Sequence, residues 1–274
     1  MSVADAIRAA TERLASISDT ARLDAELLMA HALGVKRSDM LIRQMADPSP
    51  AEYDALIDRR ADCEPVAHII GVQEFYGRQF KVSRDVLIPR GDSETLIEAA
   101  LEQAPKAARI LDLGTGSGAL LITALLELPR AVGTGIDASP RALDIANKNA
   151  RALGLIEAKA AFHQRNWHEQ DWSKDLGQFD LILCNPPYVE TGFALDRQVR
   201  EFEPSEALFA GEDGLDDYRV LIPQLRGLMS DCSIAVLEIG SDQAPAVSQI
   251  ANDCGFAFET RYDLAKRPRA LLLQ

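Results

Sequence analysis

The sequence predicts an α/β protein: a mostly parallel sheet covered by helices on both faces, preceded by a small all-helical region. Three observations carry this. From Pro105 almost to the end, short apolar runs alternate with stretches of helical periodicity. The first of those runs opens directly into a loop with three glycines. Before residue 63 there is helical spacing and no strand pattern.

The elements follow in order. Ala6, Ile7, Ala10 and Leu14 recur at helical spacing, as do Leu23, Leu27, Leu28 and Ala30, with Gly34 placed to end the second helix. Asp47-Pro48-Ser49-Pro50 breaks the pattern, and a further helix runs through Tyr53, Leu56 and Ile57. Residues 1–63 are expected to form a helical bundle. Stretch 64–90 is expected to be a β-hairpin linker, with alternating, aromatic-rich segments at 71–76 and 79–82 around Gly77-Arg78. Asp92 or Ser93 is placed to cap the helix through Leu96, Ile97 and Ala100.

The third region, 91–274, holds the sheet. Strands are expected at 109–113, 131–136, 159–162, 179–184, 234–239, 256–262 and 270–273. Helices are expected at 119–126, 141–152, near 218–228 and near 244–252. In such a sheet a ligand binds at the C-terminal ends of the strands.

Composition narrows the classes. At 274 residues and 47% hydrophobic, the chain can bury a sizeable core. No apolar run reaches the roughly 20 residues of a membrane span, and Met1 to Asp5 shows no basic segment leading into a signal sequence. Cys63, Cys184, Cys232 and Cys254 form no C-x-x-C pair and do not cluster with the four histidines, which points to reduced thiols, a cytoplasmic setting and no metal. A net charge of −13 disfavours a protein built to grip nucleic-acid backbone. Arg59-Arg60 and Glu212-Asp213 read as solvated faces as readily as docking sites, and His163 and His168 are given no acid–base role.

Two loops carry chemistry. In Asp112-Leu113-Gly114-Thr115-Gly116-Ser117-Gly118 the glycines allow a tight turn and close approach of a ligand to a helix mouth. Asp137 follows Gly114 by 23 positions, at the end of the second strand, where its carboxylate can accept both hydroxyls of an adenosine ribose. This loop alone leaves adenosylmethionine and a dinucleotide both open, while the absence of G-x-x-x-x-G-K-[ST] leaves an ATP loop unsupported. The second loop, Asn185-Pro186-Pro187-Tyr188, ends the fourth strand, because two prolines stop the ladder. The Asn185 side-chain oxygen and the Pro186 carbonyl can accept the two N–H bonds of a planar amide or amine, and Tyr188 offers a ring face. Hydride transfer has no use for that grip, whereas methyl transfer to nitrogen does.

Together these loops resemble the class I adenosylmethionine-dependent methyltransferases that act on planar nitrogens. More narrowly, Glu64-Pro65-Val66-Ala67-His68-Ile69-Ile70-Gly71, Glu74-Phe75, Leu87-Ile88-Pro89-Arg90, Phe202-Glu203-Pro204, Gly211-Glu212-Asp213-Gly214-Leu215 and Glu238-Ile239-Gly240 resemble the HemK/PrmC family. That resemblance implies a Rossmann-like, mostly parallel seven-stranded sheet and a protein-(glutamine-N5) methyltransferase acting on the Gly-Gly-Gln motif of class 1 peptide-chain release factors. S-adenosyl-L-methionine would be the methyl donor and S-adenosyl-L-homocysteine the product. It implies that Gly114, Thr115, Gly116, Ser117 and Gly118 line the methionine part of the cofactor, that Asp137 holds its ribose, that Trp167 flanks its adenine, and that Asn185 touches cofactor and substrate. Asn185, Pro186, Pro187 and Tyr188 would bind the substrate, with Asn185, Pro186 and Tyr188 catalytic. The helical region is expected to recognise the protein substrate, and the chain to be a monomer with no nucleic-acid or membrane partner. The rival readings are an N6-adenine nucleic-acid methyltransferase with the same grip and a non-catalytic adaptor that keeps the fold.

Overall fold

A computed structural model describes residues 1–274. The chain divides into two compact units, Met1–Val72 with Leu195–Phe202, and Gln73–Ala194 with Glu203–Gln274.

The first unit is helical: α1 (Val3–Leu14), α2 (Ala21–Leu33), α3 (Arg37–Arg43), α4 (Tyr53–Ala61) and α5 (Val66–Ile70). The Ser2 hydroxyl accepts the Asp5 N–H and so caps α1, whose buried stripe is Val3, Ala6, Ile7, Ala10 and Leu14. Gly34 takes a left-handed φ of 66° and closes α2. The Tyr53 hydroxyl donates to the Ala25 carbonyl at 3.0 Å in the middle of this core. Arg60 departs from the solvated face expected of it: it is 3% exposed, and its Nε donates to buried Asp24 at 2.8 Å. A guanidinium can be buried there because the carboxylate is within reach. Only part of stretch 64–90 is hairpin, since the apolar run Val66–Ile70, stopped by left-handed Gly71, coils into α5.

The second unit takes up the chain at Gln73, inside a separate two-stranded sheet of β1 (Val72–Phe75) and β2 (Arg78–Lys81). It continues as α6 (Glu94–Gln103), β3 (Arg109–Leu113), α7 (Ala119–Glu127), β4 (Val132–Asp137), α8 (Pro140–Ala152), β5 (Ala160–Gln164) and β6 (Phe179–Cys184). After α9 (Arg197–Phe202), which belongs to the helical unit, come α10 (Asp216–Leu225), β7 (Met229–Glu238), α11 (Ala244–Asp253), β8 (Phe258–Tyr262) and β9 (Pro268–Leu273).

The seven-stranded sheet has the order β5-β4-β3-β6-β7-β9-β8 and is parallel except for β9, which runs against both its neighbours. Its two faces bury separate cores. One gathers Leu96, Ile97, Ile110, Leu121 and Leu183; the other gathers Leu111, Ile182, Tyr218, Leu221 and Leu237. Such covering on both sides explains why the strands read as continuous apolar runs. In β6, Leu181, Ile182, Leu183 and Cys184 are 0% exposed, and burying each aliphatic side chain contributes roughly 2 kcal/mol. The turn that follows therefore leaves a fixed end.

Two further expectations need correction. β7 starts at Met229 rather than near 234, because Cys232, at a φ of 60°, and a register shift between Phe179 and Leu181 let the pairing extend past an irregularity. Neither Asp92 nor Ser93 caps α6 by its side chain. A short helical turn, Gly91–Ser93, leads into the helix instead; the Ser93 hydroxyl donates to buried Glu238, and Asp92 pairs with Arg269 at 3.0 Å. Ser93 itself has helical backbone angles, φ −68° and ψ −13°, rather than the extended ones of a capping residue, so its side chain does not reach back to the helix-end N–H groups.

Candidate active site

Register brings the site together. Leu113 pairs with Ile136 on one side and with Cys184 on the other, and Cys184 pairs with Leu237. The residues one step beyond that row are Gly114, Asp137, Asn185 and Glu238, so four segments distant in sequence end side by side at the C-terminal rim. The chain winds outward from β3 to β5, then returns to place β6 on the other side of β3. That reversal is a topological switch point, where the loops after β3 and β6 part to leave a crevice.

A cavity of about 700 Å³ lies there, within the range of small-molecule sites. Gly114, Thr115, Gly116, Ser117, Asp137 and Asn185 line it, and so does Pro187. Gly118, Pro186, Trp167 and Tyr188 lie outside its lining. Gly118 serves helix packing instead. At its φ of +81°, an added Cβ would meet Ile122 Cδ1 at 2.7 Å and Ala146 Cβ at 3.3 Å, so its lack of a side chain allows α7 to approach α8. The indole of Trp167 lies against Gly114, where an added Cβ would come within 3.1 Å of the ring. Its Nε1 donates to Asp217 at 2.6 Å, and His168 Nε2 meets the same carboxylate oxygen at 2.9 Å.

Asp137 is tied to both loops beside it. Its Oδ2 accepts the Gly116 N–H and its Oδ1 the Ser139 N–H, each at 2.9 Å. Burial holds its carboxyl above the ordinary value, and these two N–H donors pull the other way. Each oxygen keeps a second acceptor direction, which is what a pair of ribose hydroxyls requires. An added Cβ at Gly116 would meet only the Gly114 carbonyl, at 3.9 Å, so the loop presents bare backbone. These features fit an adenosyl ligand.

Asp112 lies beneath the glycine loop, 1% exposed. Its Oδ2 accepts the Thr115 hydroxyl at 2.6 Å, while Oδ1 has no partner. Burial pushes this carboxyl up to about 7, from an ordinary 3.8. A carboxyl raised on folding holds its proton more tightly in the folded state, so its stabilising contribution is full below pH 3.8 and lost as pH rises through about 7. Asp112→Asn is expected to flatten the pH dependence of the urea midpoint across that window; a variant whose midpoint moves with pH as the wild type's does would show that Asp112 does not titrate there.

Several residues that hold the site were not legible as such. Buried Asn149 donates to the Ser117 carbonyl at 2.8 Å and exchanges bonds with Lys81, which ties the glycine loop to the hairpin. Glu203 accepts the Ile88 N–H at 3.0 Å and pairs with Arg90, joining two stretches that line the cavity. Asn149 lies inside a helical stripe, where nothing local sets it apart. Glu203 and Arg90 stood only within the segments that resemble the HemK/PrmC family.

Comparison with known proteins places both units among known domains. Residues 5–71 match the model of the PrmC N-terminal domain, and residues 104–254 match that of a methyltransferase domain. Proteins named release factor glutamine methyltransferase are similar over most of the chain. The Rhodospirillum rubrum protein is 40% identical over 92% of this chain and 78% of its own. The Cereibacter sphaeroides protein is 40% identical over 94% and 92%, and the Koribacter versatilis protein 41% identical over 92% and 90%. Among solved structures, a methyltransferase from Pyrococcus furiosus aligns with a TM-score of 0.54 at 13% identity, over 72% of this chain and 89% of that one. A putative SAM-dependent methyltransferase from Streptococcus mutans aligns with a TM-score of 0.52 at 12% identity, over 74% and 54%. These two likenesses concern the fold.

Proposed function

Because the chain belongs to the release factor glutamine methyltransferase family, we infer that it transfers a methyl group from S-adenosyl-L-methionine to the side-chain amide nitrogen of a release-factor glutamine, the one in the Gly-Gly-Gln motif. The observation that carries the reading at the level of residues is the adjacency of the glycine loop and Asn185 around one cavity.

The bound donor supplies a methyl group activated by a sulfonium charge. Toward that donor, Gly114 to Ser117 offer backbone and Asp137 offers acceptors for the ribose; Trp167 stands at the Gly114 side of the loop. Toward the acceptor, the difficulty is that an amide nitrogen is a poor nucleophile while its lone pair is delocalised into the carbonyl. Accepting its two N–H bonds at the Asn185 side-chain oxygen and the Pro186 carbonyl favours a pyramidal nitrogen with a localised pair. Asn185 is half-buried, and its amide takes no part in the hydrogen bonds that hold the turn. Pro186 and Pro187 fix the backbone that carries both acceptors, and Tyr188 packs against the amide plane. The amide nitrogen takes the methyl as the carbon–sulfur bond of the sulfonium breaks, and the nitrogen, now positive, then loses one proton; catalysis on this reading is positioning and hydrogen bonding.

The helical unit is the part we assign to recognising the release factor, which the match of residues 5–71 supports. Cross-links between a release factor and the second unit alone would overturn that assignment. We take it to work as a monomer in the cytoplasm; action on protein rather than nucleic acid fits the net charge of −13, and no helix is long and apolar enough to cross a membrane. Incubation with labelled adenosylmethionine and an unmethylated release factor is expected to place one methyl on the Gly-Gly-Gln glutamine, located by mass spectrometry. Label entering adenine of added nucleic acid, and none entering protein, would move the function to the nucleic-acid rival.

A further inference from the structure

Glu238 closes β7 in the place beside Asn185 on the rim, since Cys184 pairs with Leu237. It is 1% exposed, and three hydroxyls converge on it. Its Oε1 accepts the Tyr188 hydroxyl at 3.2 Å, its Oε2 accepts the Ser93 hydroxyl at 2.5 Å, and its backbone carbonyl accepts the Tyr218 hydroxyl at 2.7 Å. Ser93 in turn lines the cavity together with Asn185 and Pro187.

The backbone of the same turn is anchored elsewhere. Gln243 Nε2 donates to the Tyr188 carbonyl at 2.9 Å and to the Gly214 carbonyl at 3.2 Å. Val189 bridges to Phe209, donating to the Leu208 carbonyl at 2.8 Å and accepting the Ala210 N–H at 2.9 Å. Backbone and ring of Tyr188 thus have separate anchors, and Glu238 holds only the ring. Burial and the neighbouring carboxylate push the Tyr188 phenol up, so it stays a donor.

A buried carboxylate is a costly way to fill space; a well-packed apolar side chain serves that purpose at least as well. What a carboxyl group does better is fix a donor's direction, because its oxygens accept at set angles; burial raises this carboxyl, and the Ser93 hydroxyl, Arg269 and the Tyr188 hydroxyl pull it the other way. We propose that Glu238 is a positioning residue for methyl transfer: it holds the Tyr188 ring by its hydroxyl in the orientation that meets the glutamine amide at Asn185. The proposal rests on the reading of Tyr188 as the residue that packs on the acceptor amide.

The test compares Tyr188→Phe, Tyr188→Ala, Glu238→Ala and Glu238→Gln, measuring kcat on a full-length release factor, KM for adenosylmethionine and Tm. Tyr188→Phe and Glu238→Ala are each expected to lower kcat about tenfold, the scale of a lost hydrogen bond to a charged group, with KM for adenosylmethionine unchanged. The double variant is expected to fall no further than Glu238→Ala alone, since the Tyr188–Glu238 bond is lost in both single variants and Glu238→Ala already includes the loss of the Ser93 bond. Glu238→Gln keeps an acceptor for the phenol and can donate to the Ser93 oxygen, and it is expected to recover most of kcat. Should Glu238→Ala fail to fold, Tyr188→Phe carries the test, because it deletes only the hydroxyl. Wild-type kcat in Tyr188→Phe with a loss in Tyr188→Ala would overturn the role of Glu238 and leave that of the ring standing. Wild-type kcat in Tyr188→Ala would remove the reading of Tyr188 itself.

Discussion

Asn185→Ala is expected to lower kcat on a release factor about a hundred- to a thousandfold while leaving the fold intact. The size follows from what is lost: an oriented hydrogen-bonding group at the reacting atom, of the kind whose removal costs that much when charge develops beside it. Stability is expected to change little. Asn185 stands at the cavity wall beyond the end of β6, and the turn keeps its other supports, Gln243 on the Tyr188 carbonyl and the Val189–Phe209 bridge. Turnover, followed as labelled methyl incorporated per enzyme, and Tm are the two measurements. Turnover equal to the wild type's would refute the role given to Asn185, and a collapse of Tm would assign the loss to folding.

Asp137→Ala is expected to act on the other substrate. Removing the carboxylate takes away the acceptors offered to the ribose and, with them, the partner that holds the Gly116 N–H in place. Hydrogen bonds to a charged group contribute roughly 1.5–3 kcal/mol each, so the Kd for adenosylmethionine is expected to rise about a hundredfold, measured by calorimetric titration. At saturating adenosylmethionine, kcat is expected to recover, because Asp137 is not assigned to the acceptor amide. An unchanged Kd would mean that the ribose is held elsewhere. The two variants thus separate donor binding from acceptor activation in one cavity.

The order of strands and helices in the second unit was legible because each strand is buried on both faces and each helix on one, so apolar runs and helical stripes report directly on the core. Gly114, Gly116, Asp137 and Asn185 were legible for a different reason. Gly114 and Asn185 follow the last residue of a strand, Asp137 closes one, and Gly116 lies two positions past Gly114 in the same loop; glycine, carboxylate and proline-stopped amide are uncommon there unless backbone freedom or an exposed polar group is needed. Boundaries were less legible. Nothing local in Val66–Ile70 distinguishes a short helix from the start of a hairpin, and the early start of β7 depends on pairing with Phe179 across the sheet.

Residues close together along the chain were enough to define the helical first unit, the alternating α/β second unit, the glycine loop and the proline-stopped turn at Asn185. Which strand ends meet depended on pairing between distant segments. The pairing of Leu113 with Cys184 sets the glycine loop beside Asn185, and the pairing of Cys184 with Leu237 sets Glu238 behind Tyr188. The folded arrangement also directs Ser93 to a buried carboxylate rather than a helix end, and makes Gly118 a packing residue rather than part of the cavity wall. Such assignments rest on partners far apart in sequence, and a side chain's hydrogen bond goes to whichever partner the fold brings within reach.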